Sequence, residues 1–137
     1  MANPISETGR TPLMPTLTRS AEGMALQARF VEIISKNIAN AQTTRTADGT
    51  PYQREVGVVA ADPATGELSA DVVTDDRPGR QVYDPGNPDA GPDGFVQYPN
   101  VNVTTELVDL MVARRLHEAN AVVFQAAKGM LKRALDI

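Results

Sequence analysis

The chain has 137 residues, enough for one domain or one domain with tails, and contains 4% aromatic residues and neither Trp nor Cys. Its core must come from aliphatic side chains and Met, which suits helix packing better than a pocket for a large ligand, and no disulfide can staple it. The net charge of −4 is concentrated in the middle, where residues 41–101 hold 4 basic and 10 acidic side chains, and this argues against nucleic acid, whose phosphates need a basic stripe.

Residues 1–16 are mixed, Pro-bearing and without periodicity, which predicts a disordered leader. They lack a basic start followed by an apolar run, so no cleavable signal peptide is expected. A first helix is predicted from Leu17 to about Asn40, with Pro15 and Thr16 at its start and Thr16 as N-cap. Leu17, Ala21, Met24, Ala28, Val31, Ser35 and Ile38 follow steps of four and three and so share one stripe, which Ile34 widens.

Residues 41–101 hold 7 of the 10 Pro, and Pro breaks helix interiors. This segment reads as short strands and turns. Tyr52–Ala61 and Leu68–Thr74 are the strand candidates, and Asp48-Gly49 and Asp93-Gly94 are turn signals. The Pro- and Gly-rich run from Asp84 to Gly94 reads as surface loop.

A second helix is predicted from Asn102 or Thr104 to the chain end, within residues 102–137. Leu107, Leu110, Ala121, Phe124, Leu131 and Leu135 share one stripe, and Ala113, Leu116, Val123, Ala127, Met130, Ala134 and Ile137 lie beside it. That face is broader than a two-helix seam needs. Lys128, Lys132 and Arg133 suit the negative end of the helix dipole. The expected fold is mainly α with a small β region, its terminal helices antiparallel around a compact insert. No apolar run reaches the roughly 20 residues of a membrane span. Apolar surface left over after pairing needs either the chain's own middle or neighbouring subunits to cover it.

Candidate chemistry is sparse. His117 is the single His, and with no Cys it has no soft partner for a metal, so a packed or surface role is expected. Its protonation below about pH 6.5 is expected to weaken any assembly through that face. Asp84, Asn87, Asp89 and Asp93 faintly suggest calcium but lack the alternation and closing Glu of an EF-hand loop, so a solvated turn is the better reading. Asp75 and Asp76 would point apart on an extended strand and make a poor acid/base pair. No phosphate loop, dinucleotide fingerprint or nucleophile elbow is present, and neither an enzyme nor a cofactor is expected. Asn37 and Asn40 are read as the stop and exit of the first helix, through left-handed backbone or local hydrogen bonds.

Two stretches carry a family likeness. Ser35-Lys36-Asn37-Ile38-Ala39-Asn40-Ala41-Gln42-Thr43 resembles the S-x-N-[IL]-A-N-A-x-T signature of the flagellar rod and hook axial proteins, and Asp48-Gly49-Thr50-Pro51-Tyr52-Gln53-Arg54 follows it. Val82-Tyr83-Asp84-Pro85-Gly86-Asn87-Pro88, then Asp93-Gly94-Phe95-Val96 and Pro99-Asn100-Val101-Asn102, resembles the FlgC branch of that family. The likeness covers roughly residues 17–137, with His117 where the family usually has Tyr. It implies terminal helices paired in a coiled-coil inner domain around an export channel, with a small β-rich region outside. It also implies a proximal-rod subunit in the periplasm that leaves the cell through the flagellar type III export apparatus and passes torque. Expected partners are other copies of the chain and neighbouring rod proteins such as FlgB, FlgF and a FliE-like adaptor. Leu17, Met24, Val31, Asn37, Ile38 and Asn40 are the assembly candidates at one end. Leu107, Leu110, Asn120, Val123, Phe124, Met130, Leu131 and Leu135 are those at the other. Charge at Phe124 or Leu131 is expected to block rod formation while leaving export intact. The competing readings are another axial protein such as FlgB, against which the P-Y-x-R and D-P-G-N-P segments speak, and a small calcium-binding or hydrolytic domain using the acidic middle.

Overall fold

A computed structural model describes residues 13–136. Two long helices enclose the middle in sequence: α1 (Leu13–Ala39) and α2 (Val103–Leu135). Between them come β1 (Glu55–Ala61), β2 (Leu68–Thr74), β3 (Gln81–Tyr83) and β4 (Phe95–Gln97). The molecule is mainly helical, with a small β region.

Helix α1 already includes residues 13–16, so the leader read as disordered to residue 16 is helical from Leu13, and Thr16 lies inside the helix instead of capping it. Pro15 does not prevent this. The first turn has no carbonyl partner for its N–H groups, so a residue lacking the N–H loses nothing there. Residues 1–12 lie outside the described residues. Helix α2 starts where its cap chemistry places it. Asn102 is extended (φ −96°, ψ 104°), and its side chain accepts from the Thr105 N–H at 3.2 Å.

Strands β1 and β2 form an antiparallel hairpin in register from Glu55 opposite Thr74 to Ala61 opposite Leu68. Asp62 nucleates its turn by accepting from the N–H groups of Ala64 (2.7 Å) and Thr65 (3.0 Å). Gly66 closes it with φ +72°. The hairpin lies along α1. A Cβ on Gly57 would sit 2.5 Å from the Phe30 ring, so the missing side chain lets strand and helix approach. Strands β3 and β4 pair Gln81–Tyr83 with Phe95–Gln97 around the fully buried Val96. Their connecting loop is anchored through Asp89, which accepts from the Thr44 hydroxyl (2.7 Å) and pairs with Arg45 (2.8 Å).

The helices face each other over most of their length. Residue 37 meets 106, residue 24 meets 117 and residue 23 meets 120. The inward face of α1 is turned by part of a step from the sequence reading. Ser20, Gln27 and Ile34 point inward with Leu17, Met24, Val31 and Ile38, whereas Ala21, Ala28 and Ser35 are exposed. On α2 the inward row is Glu106, Leu110, Ala113, His117, Asn120, Phe124, Ala127 and Leu131, again in steps of four and three. The fully buried aliphatic core is thin, with Ile33, Ile34, Ala41, Val96, Ala113 and Ala127 at its heart.

Candidate functional site: a buried polar junction

Where the three parts of the chain meet, the apolar row is interrupted by Asn37 and Glu106, which are 0% and 1% exposed. Asn37 sits in the last turns of α1 and Glu106 in the first turn of α2. The loop that enters β1 brings Tyr52, Arg54 and Glu55 between them. The Asn37 amide uses all four of its hydrogen-bonding positions. Its Nδ2 donates to the Glu55 carbonyl (2.8 Å) and to Glu106 Oε2 (3.1 Å). Its Oδ1 accepts from the Tyr52 hydroxyl (2.8 Å) and the Glu55 N–H (2.9 Å). The other Glu106 oxygen accepts from Arg54 Nε at 2.5 Å.

A second layer holds this one in place. The Arg54 N–H donates to Asn100 Oδ1 (2.8 Å), Asn100 Nδ2 donates to the Asp75 carbonyl (2.9 Å), and the Asp75 N–H returns to the Arg54 carbonyl (2.8 Å). Lys36 pairs with Glu55 at the rim. Among the described residues no buried side-chain polar atom lacks a partner. A satisfied buried network of this kind fixes one arrangement of the elements it joins.

Tyr52 reports on the burial. Its hydroxyl is pushed up to about 12, first by burial and then by the neighbouring Glu55 and Glu106 carboxylates. The folded value lies above the ordinary 10.0, so the neutral phenol is what the fold binds. Its contribution is fully present below pH 10 and is lost as pH rises from 10 towards 12. Urea unfolding midpoints should therefore fall across that interval. In Tyr52→Phe the midpoint should start lower and lose this part of the alkaline slope, and a variant with the full parental slope would contradict the assignment.

The residues expected from sequence fall into three groups. Asn37 is at the centre of the junction. Asn40 ends α1 by donating from Nδ2 to the Lys36 carbonyl (2.9 Å) while its Oδ1 accepts from Thr43 (3.2 Å). Among the described residues only Gly49, Gly66 and Gly94 take positive φ, so Asn40 stops the helix by its hydrogen bonds and not by left-handed backbone. Leu17, Met24, Val31, Ile38, Leu110, Asn120, Phe124 and Leu131 lie half-buried on the facing sides of the helices. Leu107, Val123, Met130 and Leu135 are exposed.

Glu106, Arg54, Tyr52 and Asn100 were not among the expected site residues. Tyr52, Arg54 and Asn100 do stand inside the motif segments, but nothing local marks Glu106 as buried. His117 Nδ1 lies 3.2 Å from the Met24 carbonyl. A carbonyl only accepts, so this nitrogen carries the proton, and the contact survives in either charge state of the ring. The expected weakening by protonation cannot therefore act through this bond. Asp75 is drawn to Arg77, whose side chain and then backbone N–H hold its carboxyl down to about 2, rather than to Asp76. Among the described residues no group of three His, Cys, Asp or Glu is placed to hold a metal ion, and no helix is long and apolar enough to cross a membrane.

Residues 93–137, which include β4, Asn100, Glu106 and all of α2, match the family described as flagellar basal body rod FlgEFG protein C-terminal. Over most of its length the chain is similar to named rod proteins. It is 33% identical to the flagellar basal-body rod protein FlgC of Salmonella typhimurium over 123 residues, covering 86% of this chain and 92% of the relative. It is 33% identical to the FlgC of Borreliella burgdorferi, with 91% and 97% covered. It is 32% identical to that of Bacillus subtilis, with 89% and 95% covered. These similarities place the two-helix, small-β chain among the structural proteins of the flagellar rod. The chain belongs to the FlgC family of flagellar basal-body rod proteins, structural components of the basal body that serve motility.

Proposed function

We propose that the chain is a non-enzymatic subunit of the proximal rod that polymerises through its terminal helices. In this reading α1 and α2 form an antiparallel coiled coil, copies of that pair pack around the export channel, and the assembled shaft passes torque. The facing pairs 37 with 106 and 24 with 117, together with 4-3 spacing on both helices, support the coiled coil.

The observation that carries self-assembly is a second apolar row on the flank of α2, beside its inward row, whose Val112 and Leu116 border the cleft to α1 and β1. Val112, Leu116, Val123 and Met130 are 52%, 47%, 46% and 51% exposed and stand four, seven and seven residues apart, with the exposed Ala119 and Ala126 filling the row. The alternative was a middle segment folded back over the surplus. The β1–β2 hairpin instead packs along α1 at Gly57, Phe30 and Ile33. A row of large apolar side chains left in water favours association by roughly 1.5–3 kcal/mol for each one buried. Fitting partners are further copies and neighbouring rod proteins such as FlgB, FlgF and a FliE-like adaptor. The site of action is the periplasmic rod, reached through the flagellar type III export apparatus.

Sedimentation and circular dichroism across a concentration series test this reading. Helix content and mass should rise together as subunits associate. A chain that stays monomeric and fully helical at every concentration would overturn it.

A further inference from the structure

We propose that Asn37 and Glu106 set the axial register of the helix pair, and so decide which of several equivalent packings α1 and α2 adopt; this rests on the coiled-coil reading above. The inward rows repeat every seven residues and are apolar except at His117, whose bond to the Met24 carbonyl is one further contact a slip would lose. On α1, Leu17, Met24, Val31 and Ile38 are spaced by seven, and on α2 so are Leu110, His117, Phe124 and Leu131. Sliding one helix past the other by seven residues, about 10.5 Å, again sets inward row against inward row. Apolar burial therefore does not distinguish these registers well.

The junction does distinguish them. In the observed register Glu106 has Asn37 at 3.1 Å and Arg54 at 2.5 Å. A slip of seven in one direction sets Glu106 against Phe30, seven residues before Asn37. A slip in the other carries it past Ala39, where α1 has ended. Either way a carboxylate that is 1% exposed loses its amide partner, and the Asn37 amide loses its bond to α2. Tyr52 and the Glu55 backbone hold Asn37 from the β1 side, so the lock also ties the hairpin to one register. Gly23 against Asn120 adds a shape constraint, since a Cβ there would lie 2.7 Å from Asn120 Nδ2. Helices of neighbouring copies carry the same repeat. A neighbouring copy's α2 carries the same Glu106, so the junction discriminates register and not which copy supplies the helix.

Pulsed electron paramagnetic resonance tests this on the full chain. The sequence has no Cys, so labels at Thr18→Cys and Arg115→Cys, two exposed positions, are unambiguous. The labelled chain is diluted into excess unlabelled chain so that only distances within one chain are read. The parent background should give one distance. Asn37→Leu/Glu106→Leu, which keeps the face apolar, should give two or more, the added one reflecting an axial shift of about 10.5 Å, a seven-residue slip. Asn37→Asp, which sets a second carboxylate against Glu106, should do the same at neutral pH and return to the parent distance on acidification.

A single parental distance in both variants overturns the proposal. Loss of the helices in either variant also overturns it, since cohesion is assigned to the apolar rows and only register to the junction. An unsubstituted background that already lacks a single distance would instead sink the paired-helix reading on which the proposal rests, so the two failures are distinguishable.

Discussion

Asn37→Ala is expected to lower the unfolding free energy by about 3 kcal/mol. The substitution removes four hydrogen bonds at once and leaves four groups without that partner: Glu106 Oε2, the Tyr52 hydroxyl, and the Glu55 N–H and carbonyl. Each buried polar group left unpaired costs about 1–3 kcal/mol, and the low end applies where small shifts or a water can compensate. Asn40→Ala is the informative contrast. Its side chain bonds the last turn of α1 in an exposed setting, so its loss resembles the loss of a helix cap and should cost about 0.5–1 kcal/mol. Glu106→Gln should fall between the two, because the amide can still accept from Asn37 but gives up the charged bond to Arg54. Chemical denaturation followed by circular dichroism ranks the three. Equal costs for Asn37→Ala and Asn40→Ala would mean that the two Asn of the motif merely end a helix.

That contrast marks where sequence reasoning reached and where it stopped. The existence of both long helices was legible from Pro-free periodic segments, and the start of α2 from Asn102. The hairpin was legible from two β-branched runs, although β1 begins at Glu55 and not at Tyr52, because residues 52–54 are drawn into the junction. The inward face of α1 was harder to read. Its two adjacent rows, one through Ser20, Gln27 and Ile34 and the other through Ala21, Ala28 and Ser35, have the same period and lie one residue out of phase. Periodicity finds both rows but does not say which is covered within the chain. Glu106 was hidden for a different reason. A charged residue near a helix start reads as solvated and dipole-favourable. Its burial depends on Arg54 and Asn37, which stand 52 and 69 residues away in the chain.

The exposed flank row of α2 gives the second large effect. Val123→Glu combined with Met130→Glu should abolish association while leaving the stability of the single chain within about 0.5 kcal/mol. Both side chains are about half exposed, and surface substitutions away from a buried network are usually that mild. In an assembled interface the same carboxylates would be desolvated without partners, a cost of several kcal/mol set against the roughly 1.5–3 kcal/mol that each apolar side chain contributes there. Phe124→Glu and Leu131→Glu should behave differently. These positions are half-buried on the side facing α1, so charge there should disrupt the chain's own helix pair as well as assembly. Measuring unfolding midpoint and sedimentation on the same three variants separates the two kinds of face. The flank substitutions should shift only the sedimentation, whereas the inward ones should shift both. If Val123→Glu/Met130→Glu assembles as the parent does, the row is not an interface. In that case its exposure would have to be relieved elsewhere, and the face of the β1–β2 hairpin opposite Gly57, with Val58 and Val73 exposed, would be the next surface to charge.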